Sequence, residues 1–286
     1  MKVLPFKIPK TAEDTLIIQE DRNWILYDQF HQHEEMQISM IIEGKGTVLV
    51  GDTFIEFKKN DIIIFGSNIP HVWRSIRTKK ESYMISLYFT KESFGDTFFE
   101  LPEFEGLHSF FQNAQYGIKM LSKKKKLRKL FTEISKTNNR LIRFTIFMRI
   151  LHAIREARSQ PISSFLSKKI YSDHEGKRMA SVLESVMNNF NKEFSLKDAA
   201  DLASMTPNAF CRYFKQRTNK TFFQFLIEVR IENACRLLAS KKEITISEAS
   251  FSSGFKNLSN FNRKFKEIKG VTPSHYKKKL YNPHFT

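Results

Sequence analysis

The chain has 286 residues, 41% of them hydrophobic, which is enough to fill the cores of two ordinary domains. Its net charge of +17 is unevenly spread. Residues 1–100 carry 12 basic and 15 acidic side chains, residues 101–174 carry 15 and 5, and residues 175–286 carry 20 and 10. An acidic N-terminal part followed by a basic C-terminal part favours a protein whose C-terminal part binds a polyanion. A soluble protein with a lysine-rich surface would have the same composition.

The cysteines and the apolar runs indicate the cellular compartment of the protein. Cys211 and Cys235 are too few for a disulfide framework, and a packed thiol is expected for Cys211 rather than a redox role. The first residues lead into no apolar run, so no export signal is predicted. The longest apolar stretch, 141–151, is interrupted by Arg143 and Arg149 and is too polar to span a membrane. We therefore predict a cytoplasmic protein with no membrane partner.

The first predicted elements are β-strands between Trp24 and Phe89. Short apolar runs alternate there with turns of Gly, Asn and Asp, and they occupy residues 37–42, 47–50, 54–57, 62–65 and 84–89. Short strands with such turns predict a small barrel or sandwich.

Helical spacing begins near Pro102. Apolar residues three and four apart predict helices around 107–111, 127–134 and 141–154. Four lysines, 123–126, open the second helix, where the helix dipole disfavours cations. A solvated face is the expectation for them, and contact with DNA phosphate is the alternative. The apolar stripe serves either a dimer interface or packing within the chain.

A polar segment punctuated by Pro161 and Gly176 predicts a linker. The fold class predicted is therefore α+β and multidomain. Its parts are a barrel at 1–100, a helical connector at 101–158, a linker at 159–178 and an all-helical region at 179–286.

The all-helical region contains one pattern twice. The first copy runs from Ser195-Leu-Lys-Asp-Ala-Ala200 to Asn219-Lys-Thr221, and the second from Ile246-Ser-Glu-Ala-Ser250 to Gly270-Val-Thr272. The second copy has one extra residue in its turn. A short helix, a tight turn and a helix ending in a basic residue describe a helix-turn-helix, so two copies predict a protein that reads two successive stretches of DNA.

Capping residues predict where these helices begin. Ser195-x-x-Asp198 and Thr245-x-x-Glu248 resemble capping boxes, and Thr206 and Thr272 each precede a proline. The predicted helices are 179–190, 196–203, 207–217, 222–240, 247–252, 258–268 and 273–280.

Residues 179–280 resemble the tandem helix-turn-helix domain of the AraC/XylS family of bacterial transcription regulators. The resemblance rests on residues 195–200, 210–215, 230–238, 254–266 and 270–276; Asn219 and Ser250 depart from the usual Gly and Ala. It implies a rigid helix at 222–240 that holds the two reading helices about one turn of DNA apart, roughly 34 Å. It also implies double-stranded DNA, a small-molecule effector and RNA polymerase as partners, a homodimer, and activation rather than repression.

The exposed faces of the two reading helices carry the candidate DNA contacts. Arg can bind guanine and Asn can bind adenine through two hydrogen bonds, whereas Lys binds phosphate. The predicted set is Asn208, Cys211, Arg212 and Lys215 in the first helix, and Leu258, Ser259, Asn262, Arg263 and Lys266 in the second. Further phosphate contacts are expected at Lys220, Lys269 and residues 277–279.

Residues 24–90 resemble a cupin barrel, through His31-Gln-His33, Gly44-Lys-Gly46, Asn60-Asp61 and Ile69-Pro-His71-Val-Trp73. In metal-binding cupins two histidines, a Glu and a later His converge, but here Gln37 falls where the carboxylate belongs. A neutral amide offsets less of a metal's charge, so no metal and no cofactor is predicted. A small polar or anionic ligand is expected instead, and the candidate binding residues are His31, His33, Gln37, His71, Trp73 as an apolar wall and Arg74 as a counter-charge.

The sequence therefore predicts a non-enzymatic regulator. Two other functions stay open at this point. One is a metal-dependent cupin enzyme whose basic tail is incidental, and the other is an architectural DNA-binding protein whose barrel only dimerises.

Overall fold

The computed structural model describes residues 15–26, 31–78, 80–163, 173–240 and 243–281. The chain divides into two compact units, Leu4–Ile170 and Tyr171–Thr286. The first is rich in β-structure and the second is helical, as the predicted α+β class requires.

The strands of the first unit form two antiparallel sheets. The larger has the order β1-β7-β2-β5-β8-β9 and the smaller the order β4-β3-β6. The strands are β1 (Ile17–Asn23), β2 (Met36–Glu43), β3 (Lys45–Val50), β4 (Thr53–Lys58), β5 (Ile62–Phe65), β6 (His71–Ser75), β7 (Ser82–Phe89), β8 (Ile118–Met120) and β9 (Ser159–Pro161).

Strand β2 separates two apolar clusters because its side chains alternate between its faces. Ile38 and Met40 belong to the cluster on the outer face of the larger sheet. Ile41 belongs to the cluster between the two sheets, so Gln37 and Ser39 also face the space between the sheets. The interior of the barrel is therefore apolar at one end and polar at the other.

Three helices cover the outer face of the larger sheet: α1 (His108–Ala114), α2 (Lys124–Ser135) and α3 (Arg140–Arg155). Short 3-10 turns at Lys91–Phe94, Phe98–Glu100 and Pro102–Leu107 lead into α1. The predicted helices of this region are confirmed. Their apolar stripe packs within the chain, since Leu127, Phe131, Phe147 and Ile150 are buried in the outer cluster. Leu141 and Ile142, at the start of α3, are exposed.

Three of the four lysines at 123–126 form ion pairs within the unit. Lys123 and Lys126 lie 3.6 and 3.9 Å from a Glu156 oxygen. Lys124 lies 2.7 Å from a carboxylate oxygen of the buried Asp61. The Asp61 contact holds α2 on the barrel, and the Glu156 contacts join the start of α2 to the end of α3. Together they account for cations at a helix N-terminus that would otherwise disfavour them.

The sequence prediction missed β1, β6, β8 and β9. The last two are three residues long, and their apolar pattern is too short to be periodic; pairing with distant residues orders them. Part of the predicted linker therefore belongs to the barrel sheet, and α4 begins at Asp173 instead of residue 179. Residues 164–172, the middle of that segment, lie outside the described residues.

The second unit consists of seven helices in its described part. They are α4 (Asp173–Asn189), α5 (Leu196–Leu202), α6 (Pro207–Thr218), α7 (Phe222–Ser240), α8 (Ile246–Ser252), α9 (Leu258–Lys269) and α10 (Pro273–Tyr281). Apart from the start of α4, each predicted boundary agrees within one residue.

The predicted caps explain this agreement. The Ser195 hydroxyl accepts from the Asp198 amide at 3.1 Å while the Asp198 carboxylate accepts from the Ser195 amide at 2.8 Å. The same reciprocal pair joins Thr245 and Glu248. Asn219 ends α6 in the left-handed region with φ of 54°, which Asn tolerates better than most residues.

Within the described residues, none of the helices is both long and apolar enough to cross a membrane.

Ser250 provides a test of core packing in the second helix-turn-helix. It is fully buried, and its hydroxyl has no hydrogen-bond partner among the described residues. An unpartnered buried hydroxyl costs about 1–3 kcal/mol, so Ser250→Ala is expected to raise the free energy of unfolding by about 1 kcal/mol in urea denaturation. Ser253 is the matched control: its hydroxyl accepts from Asn233 and donates to the Ala249 carbonyl, so Ser253→Ala should destabilise the protein. Destabilisation by both changes would contradict the argument.

Asp61 provides a test of how α2 is held. Burial opposes its charge, but hydrogen bonds from Lys124 and Lys119 outweigh burial and lower the pKa of the carboxyl. A lowered pKa gives stability that is present above the ordinary value of 3.8 and is lost as pH falls through the folded-state value. Asp61→Asn is therefore expected to cost about 2 kcal/mol at neutral pH, less than a fully buried pair because the lysines are partly exposed. It should also flatten the acid limb of the stability curve, which thermal melts between pH 7 and 3 would measure.

Candidate nucleic-acid interface and barrel cluster

Helices α6 and α9 each bury one face and expose the other. Phe210 and Phe214 on α6, and Phe261 and Phe265 on α9, have no solvent exposure. All nine predicted DNA contacts are exposed on these helices: Asn208, Cys211, Arg212, Lys215, Leu258, Ser259, Asn262, Arg263 and Lys266. The exposure of Cys211 overturns the expectation of a packed thiol, whereas Cys235 is buried.

The long helix α7 forms part of both cores. Near its start, the Phe222 ring lies 5.6 Å from the rings of both Phe210 and Phe214. Further along, Ile231 and Leu238 pack in the cluster that contains Phe261 and Phe265. Both reading helices are therefore attached to one continuous helix.

The two reading helices differ in charge. Helix α6 contains no acidic residue, whereas α9 contains the exposed Glu267. Glu267 lies 2.9 Å from Lys264 and 3.6 Å from Arg263, and the Lys264 hydrogen bond lowers the pKa of its carboxyl. Arg263 also donates to the Asn260 side chain at 3.0 Å. Arg263 is therefore in contact with side chains of its own helix and lies beside the negative charge of Glu267.

Several lysines expected at phosphate are engaged within the protein. Lys220 pairs with Glu228 at 2.7 Å, and Lys269 with the buried Glu232 at 2.5 Å. Lys277 donates to the Ile244 carbonyl. Each serves the internal structure, which the pattern of charges alone could not reveal. Lys215 and Lys266 stay exposed on the reading face.

Sequence reasoning also missed the role of Arg230 on α7. Its guanidinium donates to the carbonyls of Phe190 and Lys192, at 2.7 and 2.9 Å, and so caps the end of α4. Burial lowers its pKa. Arg230 appeared in the sequence only as part of a family pattern, because its partners lie about forty residues away.

The three barrel histidines converge. The main chains of His31 and His71 are joined by two hydrogen bonds, of 3.1 and 2.9 Å. The possible ligand atoms of His31, His33 and His71 all lie within 4.8 Å of one another, and all three residues are buried. Four of the predicted ligand-binding residues, these histidines and Gln37, thus form one cluster.

Hydrogen bonds to the main chain set the protonation of two of these rings. Nδ1 of His33 lies 2.8 Å from the Glu35 carbonyl, and Nδ1 of His71 lies 2.8 Å from the Ile69 carbonyl. A carbonyl can only accept, so each Nδ1 carries a hydrogen. Burial lowers the pKa of both rings, which keeps them neutral. Each Nε2 is therefore an unprotonated acceptor.

Gln37 connects these rings to two buried serines. Its amide oxygen lies 3.1 Å from Nε2 of His33 and 3.1 Å from Nε2 of His71. Its amide nitrogen lies 2.7 Å from the Ser39 hydroxyl and 3.4 Å from that of Ser86. Sequence reasoning missed the serines. The alternation of β2, which places Gln37 and Ser39 on one face, was the available signal for Ser39.

Trp73 and Arg74 do not join the cluster directly. Trp73 packs on Phe57 and Phe65 in the apolar end, and Phe65 in turn stacks on His71 with ring centroids 4.1 Å apart. Arg74 lies on the opposite face of β6 from His71 and Trp73, because successive residues of a strand alternate. The structure therefore does not bring the expected counter-charge to the histidines.

The donor set does not fit the divalent metal that a cupin barrel implies. Three imidazoles and one carboxamide are all neutral, so the set lacks the carboxylate that offsets part of a divalent ion's charge in a metal-binding cupin. The nearby Glu35 carboxylate lies 3.9 Å from Nδ1 of His33, the ring nitrogen that does not face Gln37.

Comparisons with known proteins agree with both parts of the fold. A helix-turn-helix domain family matches residues 199–279, and a cupin domain family matches residues 27–88. The HTH-type transcriptional regulator YdeC of Bacillus subtilis is 24% identical over 95% of this chain and 92% of its own. The transcriptional activator RhaR of Mannheimia succiniciproducens is 22% identical over 94% of each. The crystal structure of ToxT from Vibrio cholerae O395 aligns with 94% of this chain and 99% of its own, at 13% identity and a TM-score of 0.39.

Two exposed reading helices on one connecting helix, joined to a cupin domain, define a helix-turn-helix transcriptional regulator. The chain carries a helix-turn-helix domain of the AraC type in its C-terminal part and a cupin domain in its N-terminal part.

Glu267 provides a test of the charge difference between the reading helices. A carboxylate on the reading face repels phosphate, so Glu267→Gln is expected to raise DNA affinity several-fold and to free Arg263. Fluorescence anisotropy at two salt concentrations would measure it. The matched control is Glu193→Gln, which removes another exposed carboxylate, from the loop after α4, where it pairs with Lys256. An equal gain for both variants would mean that only net charge matters.

Proposed function

We propose that this regulator binds a specific DNA sequence through α6 and α9 and activates transcription in response to a small ligand held in the barrel. The observation that carries the proposal is the pairing of two chemically unlike, exposed reading faces with a buried polar cluster in the same chain. The protein would act in the cytoplasm.

Sequence reading would come from a few side chains on each reading helix. Arg212 and Asn208 on α6, and Arg263 and Asn262 on α9, are exposed and carry the groups that bind guanine and adenine edges. Lys215 and Lys266 would neutralise phosphate, giving affinity without sequence choice. Because the two reading faces differ, each subunit would read an asymmetric half-site, and any palindrome would require two subunits.

The dimer would form through the sensor unit. Leu141 and Ile142 leave 74% and 49% of their surfaces exposed at the start of α3, and exposed apolar neighbours suit a protein contact. Two half-sites would then be read by one dimer, with RNA polymerase as the further partner of an activator.

Ligand control would act through the polar end of the barrel. His31, His33, Gln37 and His71 offer hydrogen-bonding groups in a buried space, which suits a small polar or anionic molecule. A ligand shifts the regulator between states only by the difference in its affinity for them. RhaR, a relative similar along 94% of this chain, is named an activator, and this supports the sign of the effect.

Footprinting on the promoter region next to the protein's own gene, with and without candidate metabolites, tests the whole proposal. Protection of two adjacent major grooves per subunit, altered by a metabolite, is expected. Protection that no metabolite alters would favour an architectural DNA-binding protein. Absence of protection on any promoter would refute sequence-specific binding.

Arg263→Ala tests the base-reading role. We expect a loss of about 10- to 100-fold on the specific site and a much smaller loss on random DNA, since one base contact contributes about 1–3 kcal/mol of discrimination. Competition binding measures both. Lys266→Ala is the control on the same helix, with equal losses on the two DNAs expected. An equal loss for Arg263→Ala would assign that arginine to phosphate.

A further inference from the structure

Gln37 occupies the centre of the barrel cluster. Its carboxamide end meets Nε2 of His33 and Nε2 of His71 at 3.1 Å each. Both of these nitrogens are acceptors, because the Nδ1 hydrogens are given to the carbonyls of Glu35 and Ile69. Whatever faces them must therefore donate two hydrogens or carry positive charge.

The structure places the amide oxygen towards the histidines and the amide nitrogen towards the serines. A half-turn of the carboxamide exchanges these two atoms within the same volume, and only one of the two orientations meets the demand. With oxygen towards the histidines, three acceptors converge, and only a cation could stabilise them. With nitrogen towards the histidines, its two hydrogens are donated one to each Nε2. The oxygen then accepts from the Ser39 and Ser86 hydroxyls, which lie 2.7 and 3.4 Å from that end of the amide.

The second orientation satisfies every member of the network without an ion. Each serine hydroxyl has one hydrogen to donate, and Ser39 and Ser86 lie 2.8 Å apart, so Ser86 can donate to the Ser39 oxygen instead of to the more distant amide oxygen. Gln37, Ser39, Ser86 and His71 are all buried to within 1% of complete. In such a place unmet hydrogen-bonding groups are costly, and the fully paired arrangement is preferred.

We propose that the Gln37 carboxamide stands where a metal-binding cupin would hold its ion, and that it makes this barrel a metal-free hydrogen-bonding site. The amide fixes Nε2 of His33 and His71 by donating to both. The site would then recognise a ligand through these neutral groups, without Lewis-acid chemistry. This property belongs to the barrel alone and does not depend on whether the protein activates transcription.

The change Gln37→Glu should reverse this property. A carboxylate has no hydrogen to give, so both Nε2 atoms would face oxygen, while Ser39 and Ser86 could still donate to that carboxylate. Three imidazoles with one carboxylate form a ligand set that Zn²⁺ prefers, and the added negative charge offsets part of the ion's charge.

Zinc and cobalt binding to the full-length protein tests the proposal. After dialysis against Zn²⁺, the unaltered protein should hold far less than one equivalent, and Gln37→Glu should hold one, with affinity at least about 100-fold tighter. Co²⁺ bound to Gln37→Glu should give visible absorption bands. The double change Gln37→Glu with His71→Ala should lose both signals, which separates the barrel from histidines elsewhere.

Two results would overturn the proposal. One is a full equivalent of Zn²⁺ on the unaltered protein, with an affinity that matches Gln37→Glu. The other is the absence of any gain by Gln37→Glu while circular dichroism and DNA binding show that it is folded.

A measurement on the unaltered protein decides the question even if the variant fails to fold. The ¹⁵N shifts of His33 and His71 should report Nδ1–H rings that donate at Nδ1 and accept at Nε2, with no change when a chelator is added. Shifts that move on chelation would mean that an ion, and not the amide, holds the cluster.

Discussion

The continuous helix α7 is the constraint on which DNA reading by this protein depends. Phe222 near its start packs against the first reading helix, and Leu238 near its end packs with the core of the second. A helix rises 1.5 Å per residue and bends little, so residues along one helix keep a fixed separation and a fixed angle around its axis. The Arg230 caps on α4 and the Lys269–Glu232 pair add contacts along the same helix. Because neither reading helix can rotate independently of α7, the two helices keep the fixed arrangement that the proposed reading of two successive grooves requires.

Much of the helical unit could be predicted because its signals are local. The reciprocal caps at Ser195 and Thr245 act within four residues, and apolar spacing of three and four places the phenylalanines of α6 and α9 inside. The exposed reading faces followed from the same spacing. Signals that depend on distant partners were invisible. Lys220 and Lys269 look like phosphate contacts in the sequence, yet each pairs with an acidic residue on α7. Strands β8 and β9 exist only because they pair with each other and with β5.

In the barrel, too, some residues of the cluster could be predicted from the sequence, and those that depend on distant partners could not. Histidine and glutamine positions in the sequence were enough to predict that His31, His33, Gln37 and His71 meet. Arg74 is near them in the chain, but strand alternation directs its side chain to the other face of β6. Ser39 and Ser86 come from strands that pair across the larger sheet, at directly opposed positions. A serine carries no apolar signal, so its part in a buried network appears only when the register of the strands is known.

The polar end of the barrel constrains what can enter it. Its groups are already paired: the carboxamide with two rings, and the serines with the carboxamide and each other. A ligand that displaces any of these contacts must replace them with matching donors and acceptors, because an unpaired buried polar group costs more than one hydrogen bond gains. An apolar ligand would leave these buried groups without hydrogen bonds, whereas a polar ligand can replace each hydrogen bond that it displaces. Selectivity in such a site comes from the free-energy cost of binding a ligand whose polar groups do not match. Strand β2 presents polar side chains of the site on one face, and its other face packs against the covering helices.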